Sequence, residues 1–286
     1  MSSSIIYLII GSAIGLYLGI HKLRNGNLSF KREPVRAFPN EWRKLLIDHV
    51  EFYNRLPQSK KTEFEKRVHI FLLNVEIVGI DTEVTHLDRI LVASGAIIPI
   101  FGFEKWHYSN LEQVQIYPDK FLVPKSNKMA SGLVGWGAME GKMMLSRKAL
   151  MHGFYDQEDQ KNVAIHEFIH ILDKQDGKID GVLDKVMNEI DIKPWLHIIN
   201  HKMNEIGLGQ STIREYGAAN QAEFLAVVSE FFFESPEKMK SEHPALYMAL
   251  DSFFNPKVSP SNSNRSKYIT RPTYKRDGSG YNKNER

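Results

Sequence analysis

The stretch VAIHEFIHILD, residues 163–173, decides how the rest of the chain is read. His166 and His170 stand four apart, and Glu167 directly follows the first. On a helix, positions i and i+4 share a face, so the two imidazoles can converge on one zinc ion. Glu167 lies one position round, close to that ion but poorly placed to ligate it. It suits the base that takes a proton from a zinc-bound water, whose pKa the metal brings to about 7. The remaining positions (Val163, Ala164, Ile165, Phe168, Ile169, Ile171, Leu172) are apolar, as in a buried central helix. Two histidines there cost desolvation energy unless they are paired or metal-bound. A pair of hydrogen-bonded core histidines is the plain alternative.

A catalytic zinc site needs a third protein ligand and an open fourth position. One geometry ends the helix soon after the motif and takes the ligand from the next turn, in the pattern HExxHxxGxxH. Here Asp173 stands at the glycine position and Asp176 at the last. Asp176 can ligate zinc, but Asp173 fits poorly where the chain must turn with positive φ. The other geometry takes a glutamate from a later helix. QAEFLAVVSEFFF, residues 221–233, is such a helix, with Glu223 and Glu230 seven apart on one face of an apolar segment. Buried carboxylates need a cation or hydrogen-bond donors. This reading favours Glu223 as the ligand. Glu230, and Asp173 beside the motif, are then expected to support the ligands from outside.

The 286 residues contain no cysteine, which excludes disulfides, cysteine-based zinc knuckles and thiol nucleophiles. The net charge of +3 is unevenly placed: residues 257–286 carry +6 and the remainder −3. A basic tail, not a basic face, sets the pI, so nucleic-acid binding is not expected. Residues 5–20 (IIYLIIGSAIGLYLGI) are almost wholly apolar, and residues 1–20 carry no charged side chain. Twenty helical residues span about 30 Å, the hydrocarbon thickness of a bilayer. The positive charges Lys22, Arg24, Lys31, Arg32 and Arg36 follow the run, and no cleavage site does, which favours an uncleaved anchor over a signal peptide. Positive-inside bias then leaves the body in the cytoplasm. Gly11, Gly15 and Gly19 share one face of that helix and allow self-association.

The expected organisation is a transmembrane anchor over residues 1–24, a basic linker over 25–38, a catalytic domain over 39–255 and a disordered basic tail over 256–286. Helices are expected at 41–56, 59–73, 85–98, 157–174, 183–205, 221–234 and 244–254. Strands are expected at 75–80, 113–117 and 142–146, the last a candidate edge strand onto which an extended substrate can add.

Several segments carry a family resemblance: FYNRLPQSKKTEFEKRV (52–68), LEQVQIYPDKF (111–121), GKMMLSRKAL (141–150), NVAIHEFIHILDKQDG (162–177) and YGAANQAEFLAVVSEFFFESPE (216–237). Over residues 42–254 the chain resembles the Mlc titration factor A family of bacterial zinc peptidases, which are grouped with the gluzincins and similar in their core to anthrax lethal factor. The resemblance implies an α+β, zincin-like metallopeptidase domain, mostly helical with a small sheet. It implies His166, His170 and Glu223 as zinc ligands, Glu167 as general base and Tyr216 as donor to the oxyanion. Gly217 and Gln221 stand where alanine and proline are commoner, and neither supplies chemistry. The expected function is a membrane-anchored zinc peptidase, single-pass in the bacterial inner membrane, acting on a peptide or protein substrate. The alternative is a tethered regulatory protein that binds and titrates a partner, its zinc mainly structural. A third reading is a zinc hydrolase of non-peptide substrates.

Overall fold

The structure is a computed structural model that describes residues 32–103, 108, 110–156, 158–183 and 192–255. The expected anchor with its glycine face, the first part of the linker and the basic tail lie outside the described residues. Among the described residues, no helix is long and apolar enough to cross a membrane.

The described residues open with helices α1 (Asn40–His49) and α2 (Glu51–Arg55), read from sequence as one helix. Val50 separates them in an extended conformation, φ −120 and ψ 90. Its side chain is buried, so packing at this residue, and no local breaker, makes the interruption. After Pro57 comes α3 (Gln58–Asn74), followed by β1 (Glu76–Gly79). α4 (His86–Ile97) starts at a reciprocal cap: the Thr85 hydroxyl accepts from the Asp88 amide, and the Asp88 carboxylate accepts from the Thr85 amide. Asp88 is fully buried, and the Arg147 guanidinium donates to both of its oxygens.

The sheet combines β1, β2 (Gln113–Tyr117), β5 (Gly132–Val134) and β6 (Lys142–Ser146) in the order β1-β2-β6-β5. The first three are parallel and β5 is antiparallel to β6, with Gly132 opposite Leu145 and Val134 opposite Met143. β3 (Phe121–Leu122) and β4 (Met129–Ala130) form a separate two-stranded ribbon. The strand at 142–146 is therefore internal, and the expectation of an edge there is corrected: β5 is the outer strand next to it.

α5 (Arg147–Tyr155) was not anticipated as a helix, and the expected helix from 157 begins only at α6 (Val163–Asp173). Two features hold the helix start at Val163. Gln160 has φ +60, and the Asn162 side chain caps the helix by accepting from the Ile165 amide. α7 (Lys193–Gly207), α8 (Gln221–Glu234), α9 (Pro236–Glu242) and α10 (Pro244–Phe254) complete the fold. Of the helix expected at 183–205, residues 184–191 lie outside the described residues and α7 covers the rest from Lys193, while α9 was not foreseen. The domain is mostly helical with a small mixed sheet, as α+β class requires.

The core is built around α4, α6 and α8, whose apolar residues are almost all buried. Gly95 of α4 meets Ala164 of α6 so closely that an added Cβ would lie 2.4 Å from the alanine Cβ. Beyond it, Phe168 packs against the rings of Phe71 and Tyr108. The helix of the HExxH motif is thus buried on the sides that its apolar positions occupy, leaving one polar face.

Candidate metal centre

That polar face carries His166 and His170, and α8 meets it with Glu223. Glu223 stands in the first turn of α8, where Asn220 caps the helix by accepting from the Glu223 amide. Nε2 of His166 lies 3.0 Å from Oε2 of Glu223 and 3.1 Å from Nε2 of His170. Nε2 of His170 lies 3.5 Å from the same carboxylate oxygen. With metal–ligand bonds of about 2.0–2.1 Å, the edges of a tetrahedral zinc shell are about 3.3 Å. The three donor atoms thus already outline one face of such a shell. Two imidazole lone pairs cannot face each other at this distance without a proton or a cation between them, so the donor set fits a divalent metal.

The electrostatics agree. Burial lowers the His166 pKa, but the charge of Glu230 and the hydrogen bonds with Glu223 and Glu230 outweigh it and push the imidazole up to about 10. Burial raises the Glu223 carboxyl, and its hydrogen bonds to both histidines overcome that and hold it far below the usual carboxylate range. Both shifts express a demand for positive charge at the point where the three residues meet.

Glu167, the neighbour of His166, is buried, and desolvation raises its pKa above that of a free glutamate. The outer strand of the sheet lies against it. A Cβ added at Gly132 would fall 2.3 Å from Oε1 of Glu167 and 2.7 Å from its Cγ. Only glycine lets β5 approach this carboxylate so closely. Tyr216 lies in a 3-10 turn (Glu215–Ala218), with its ring stacked on that of His166 at a centroid distance of 6.0 Å. The ring is half exposed. Desolvation first, and then the charge and hydrogen bond of Glu223, push the phenol up to about 12. Tyr216 is therefore a protonated donor at neutral pH.

Glu230 stands two turns after Glu223 and is 2% exposed. Its Oε1 accepts from Nδ1 of His166 at 2.8 Å and its Oε2 from the Asn162 amide. The first bond makes Nδ1 the protonated nitrogen and leaves the Nε2 lone pair for the ligand cluster. Glu230, expected from sequence to support a ligand, thus lies in direct contact with His166. Asp173, for which the same expectation was made, accepts with its carboxylate from the backbone amides of Gly181 and Val182 and so anchors the chain after α6. The side chain of Asp176 is outside the description.

Sequence reasoning missed Arg214, whose guanidinium donates to Oε1 of Glu230. It lies 16 residues before its partner, in a segment with no periodic pattern, and offered no local signal. A second group, His152, Asp156 and Asp159, also brings ligand-type atoms together, but it is more exposed and Lys161 sits 3.6 Å from Asp159. Where the end of β5 meets the end of α6, an open cleft is lined by Val134, Gly135, Ile171 and Lys174.

The chain is similar to known proteins. A family model described as glucose-regulated metallo-peptidase M90 matches residues 25–255. An uncharacterized protein of Synechocystis sp. is 28% identical over 236 residues, which is 77% of this chain and 85% of that protein. Mlc titration factor A of Yersinia pestis is 29% identical over 164 residues, 52% of this chain, and the same figures hold for that of Yersinia pseudotuberculosis. The match spans 60% of the length of these titration factors.

Proposed function

Because the chain belongs to the glucose-regulated metallo-peptidase M90 family, we propose that it is a zinc-dependent peptidase whose metal is held by His166, His170 and Glu223. The family match contains the whole span, residues 42–254, over which the sequence resembles the titration factor peptidases. The observation that carries the proposal is the approach of three donor atoms to within 3.0–3.5 Å of one another, at the edge length of a tetrahedral site.

Zinc, when bound, supplies a Lewis acid for the scissile carbonyl and an acidified water. The chain supplies the rest. Glu167, its pKa raised by burial, takes a proton from the attacking water and passes it to the leaving amine nitrogen. Tyr216, protonated, donates its O–H to the carbonyl oxygen as negative charge develops there. Glu230 holds His166 in the tautomer that presents Nε2. β5, beside Glu167, offers the backbone groups along which an extended peptide can lie.

The apolar run of residues 5–20 and the basic residues after it give the proposal its location: a single-pass anchor in the bacterial inner membrane with the peptidase domain on the cytoplasmic side. The name of the Yersinia relatives keeps a second reading, in which the chain binds and titrates a regulatory protein and the metal is mainly structural. Glu167→Gln separates the two. A variant that binds zinc, cleaves nothing and still performs the cellular function would sink the catalytic reading. Metal content tests the site itself: the native chain is expected to carry one zinc and Glu223→Ala to lose it. Undiminished zinc in that variant moves the third ligand elsewhere.

A further inference from the structure

Glu230 is a buried carboxylate in acidic company. Glu167 and Glu234 both feel its charge, and both have raised pKa values, for which burial is the first cause. Its hydrogen-bond donors are the His166 imidazole, the Asn162 amide and the Arg214 guanidinium. His166 is neutral when it serves as a ligand, and an amide carries no charge. Arg214 is thus the permanently charged partner of Glu230 among the described residues. It binds Oε1, the same oxygen that receives Nδ1 of His166.

The backbone of Arg214 has a second task. Its carbonyl accepts from the Gly217 amide at 3.0 Å and so opens the 3-10 turn that carries Tyr216. One residue is therefore fixed at two points: by its side chain to the carboxylate that orients a metal ligand, and by its main chain to the turn that presents the tyrosine. Resting on the zinc peptidase reading above, we infer that Arg214 is a positioning residue that sets the metal affinity of the site through Glu230 and holds the Tyr216 turn against it.

The guanidinium nitrogen on Oε1 fixes the position of that oxygen as well as balancing its charge. Without it, Oε1 is held only by the imidazole that it is meant to orient. Partners of this outer kind typically govern metal affinity by about 10–100-fold.

The test is zinc affinity of the metal-free full chain, measured by competition with a chromophoric chelator, so that no activity enters the readout. Arg214→Met is expected to weaken zinc binding about 10–100-fold, and Arg214→Lys to recover part of the loss. Glu230→Gln should weaken binding to a similar degree, and the double variant no further, because both act through one oxygen. Arg147→Met, which breaks the buried pair with Asp88 elsewhere in the fold, controls for general destabilisation and is expected to keep native zinc affinity. Native affinity in a folded Arg214→Met overturns the inference. So does full additivity with Glu230→Gln, or an equal loss in Arg147→Met. If Arg214→Met does not fold, Arg214→Lys decides: affinity between native and Glu230→Gln supports the inference, and native affinity overturns it. A native chain that binds no zinc overturns the metal site and this inference together, whereas native binding with an unaffected Arg214 variant overturns this inference alone.

Discussion

Replacing Gly132 by alanine tests whether the carboxylate of Glu167 must sit where it does. In a strand, alanine would ordinarily be neutral or better than glycine, since it restricts the unfolded chain. Here the new Cβ would lie 2.3 Å from Oε1 of Glu167, while ordinary contact begins near 3.4 Å. The carboxylate must therefore move by about 1 Å. A misplacement of that size at a reacting group costs about 100-fold in rate, or about 2.7 kcal/mol of transition-state stabilisation. The next nearest atoms belong to Glu167 and to Val163, and none of the three belongs to His166, His170 or Glu223. The metal should stay. The assay is kcat/KM on a quenched fluorescent peptide beside zinc content, with Gly207→Ala as the control, since nothing lies within 4 Å of a Cβ at that position. A Gly132→Ala protein with full zinc and activity within threefold of native would refute the assignment of Glu167 as the base. One that loses its zinc would refute the claim that β5 contacts the base and not the ligands.

Other outcomes follow from the same geometry. Glu167→Gln should keep zinc and lose about 10²–10⁴ of the cleavage rate; loss of the metal would instead make Glu167 a ligand. Tyr216→Phe should lower kcat by about 10²–10³ with little change in KM, and a selective rise in KM would assign the phenol to substrate binding. The metal-free chain should respond to pH through His166. Its folded pKa of about 10 stands above the value of 6.5 for a free imidazole, so its stabilising contribution is complete below pH 6.5 and is lost as pH rises through 10. Over the same window zinc affinity should rise, because binding displaces that proton. A melting temperature of the metal-free chain that stays flat between those limits would contradict the ion pairing of His166 with the two glutamates.

The parts of this molecule legible in its sequence are those where chemistry and period coincide. The α6 motif, the α8 glutamates and the strands at Gln113–Tyr117 and Lys142–Ser146 each carry their own signal within a few residues. The parts that were not legible depend on contacts far along the chain. The break at Val50 arises from burial, and the residues before Val163 are kept out of the helix by the Asn162 cap and the positive φ of Gln160. Which strand is outermost depends on sheet order, and β5 is three residues long, too short to show alternation. Asp173 looked like a site residue because it stands one turn after His170, yet its partners are backbone amides eight and nine residues on. Arg214 shows the same limit in reverse: its role exists only once α8 has folded back onto α6.

Asp173 also changes how the cost of assembling the chelate is distributed. His166 and Glu223 are 57 residues apart in the chain. A metal that had to close a loop of that length would meet a substantial entropic barrier. The chain takes a shorter route. Asp173, at the end of α6, grips the amides of Gly181 and Val182; a Cβ at Gly181 would lie 2.4 Å from the Gln221 carbonyl, and Gln221 opens the helix that carries Glu223. The Gly181 carbonyl is held in turn by the Trp195 indole. These contacts bring the end of α6 and the start of α8 together through the chain itself, so the loop left for a metal to close is shorter than the sequence separation suggests. A metal bound at this site would add stability by mass action, about 4 kcal/mol at a thousand times its dissociation constant.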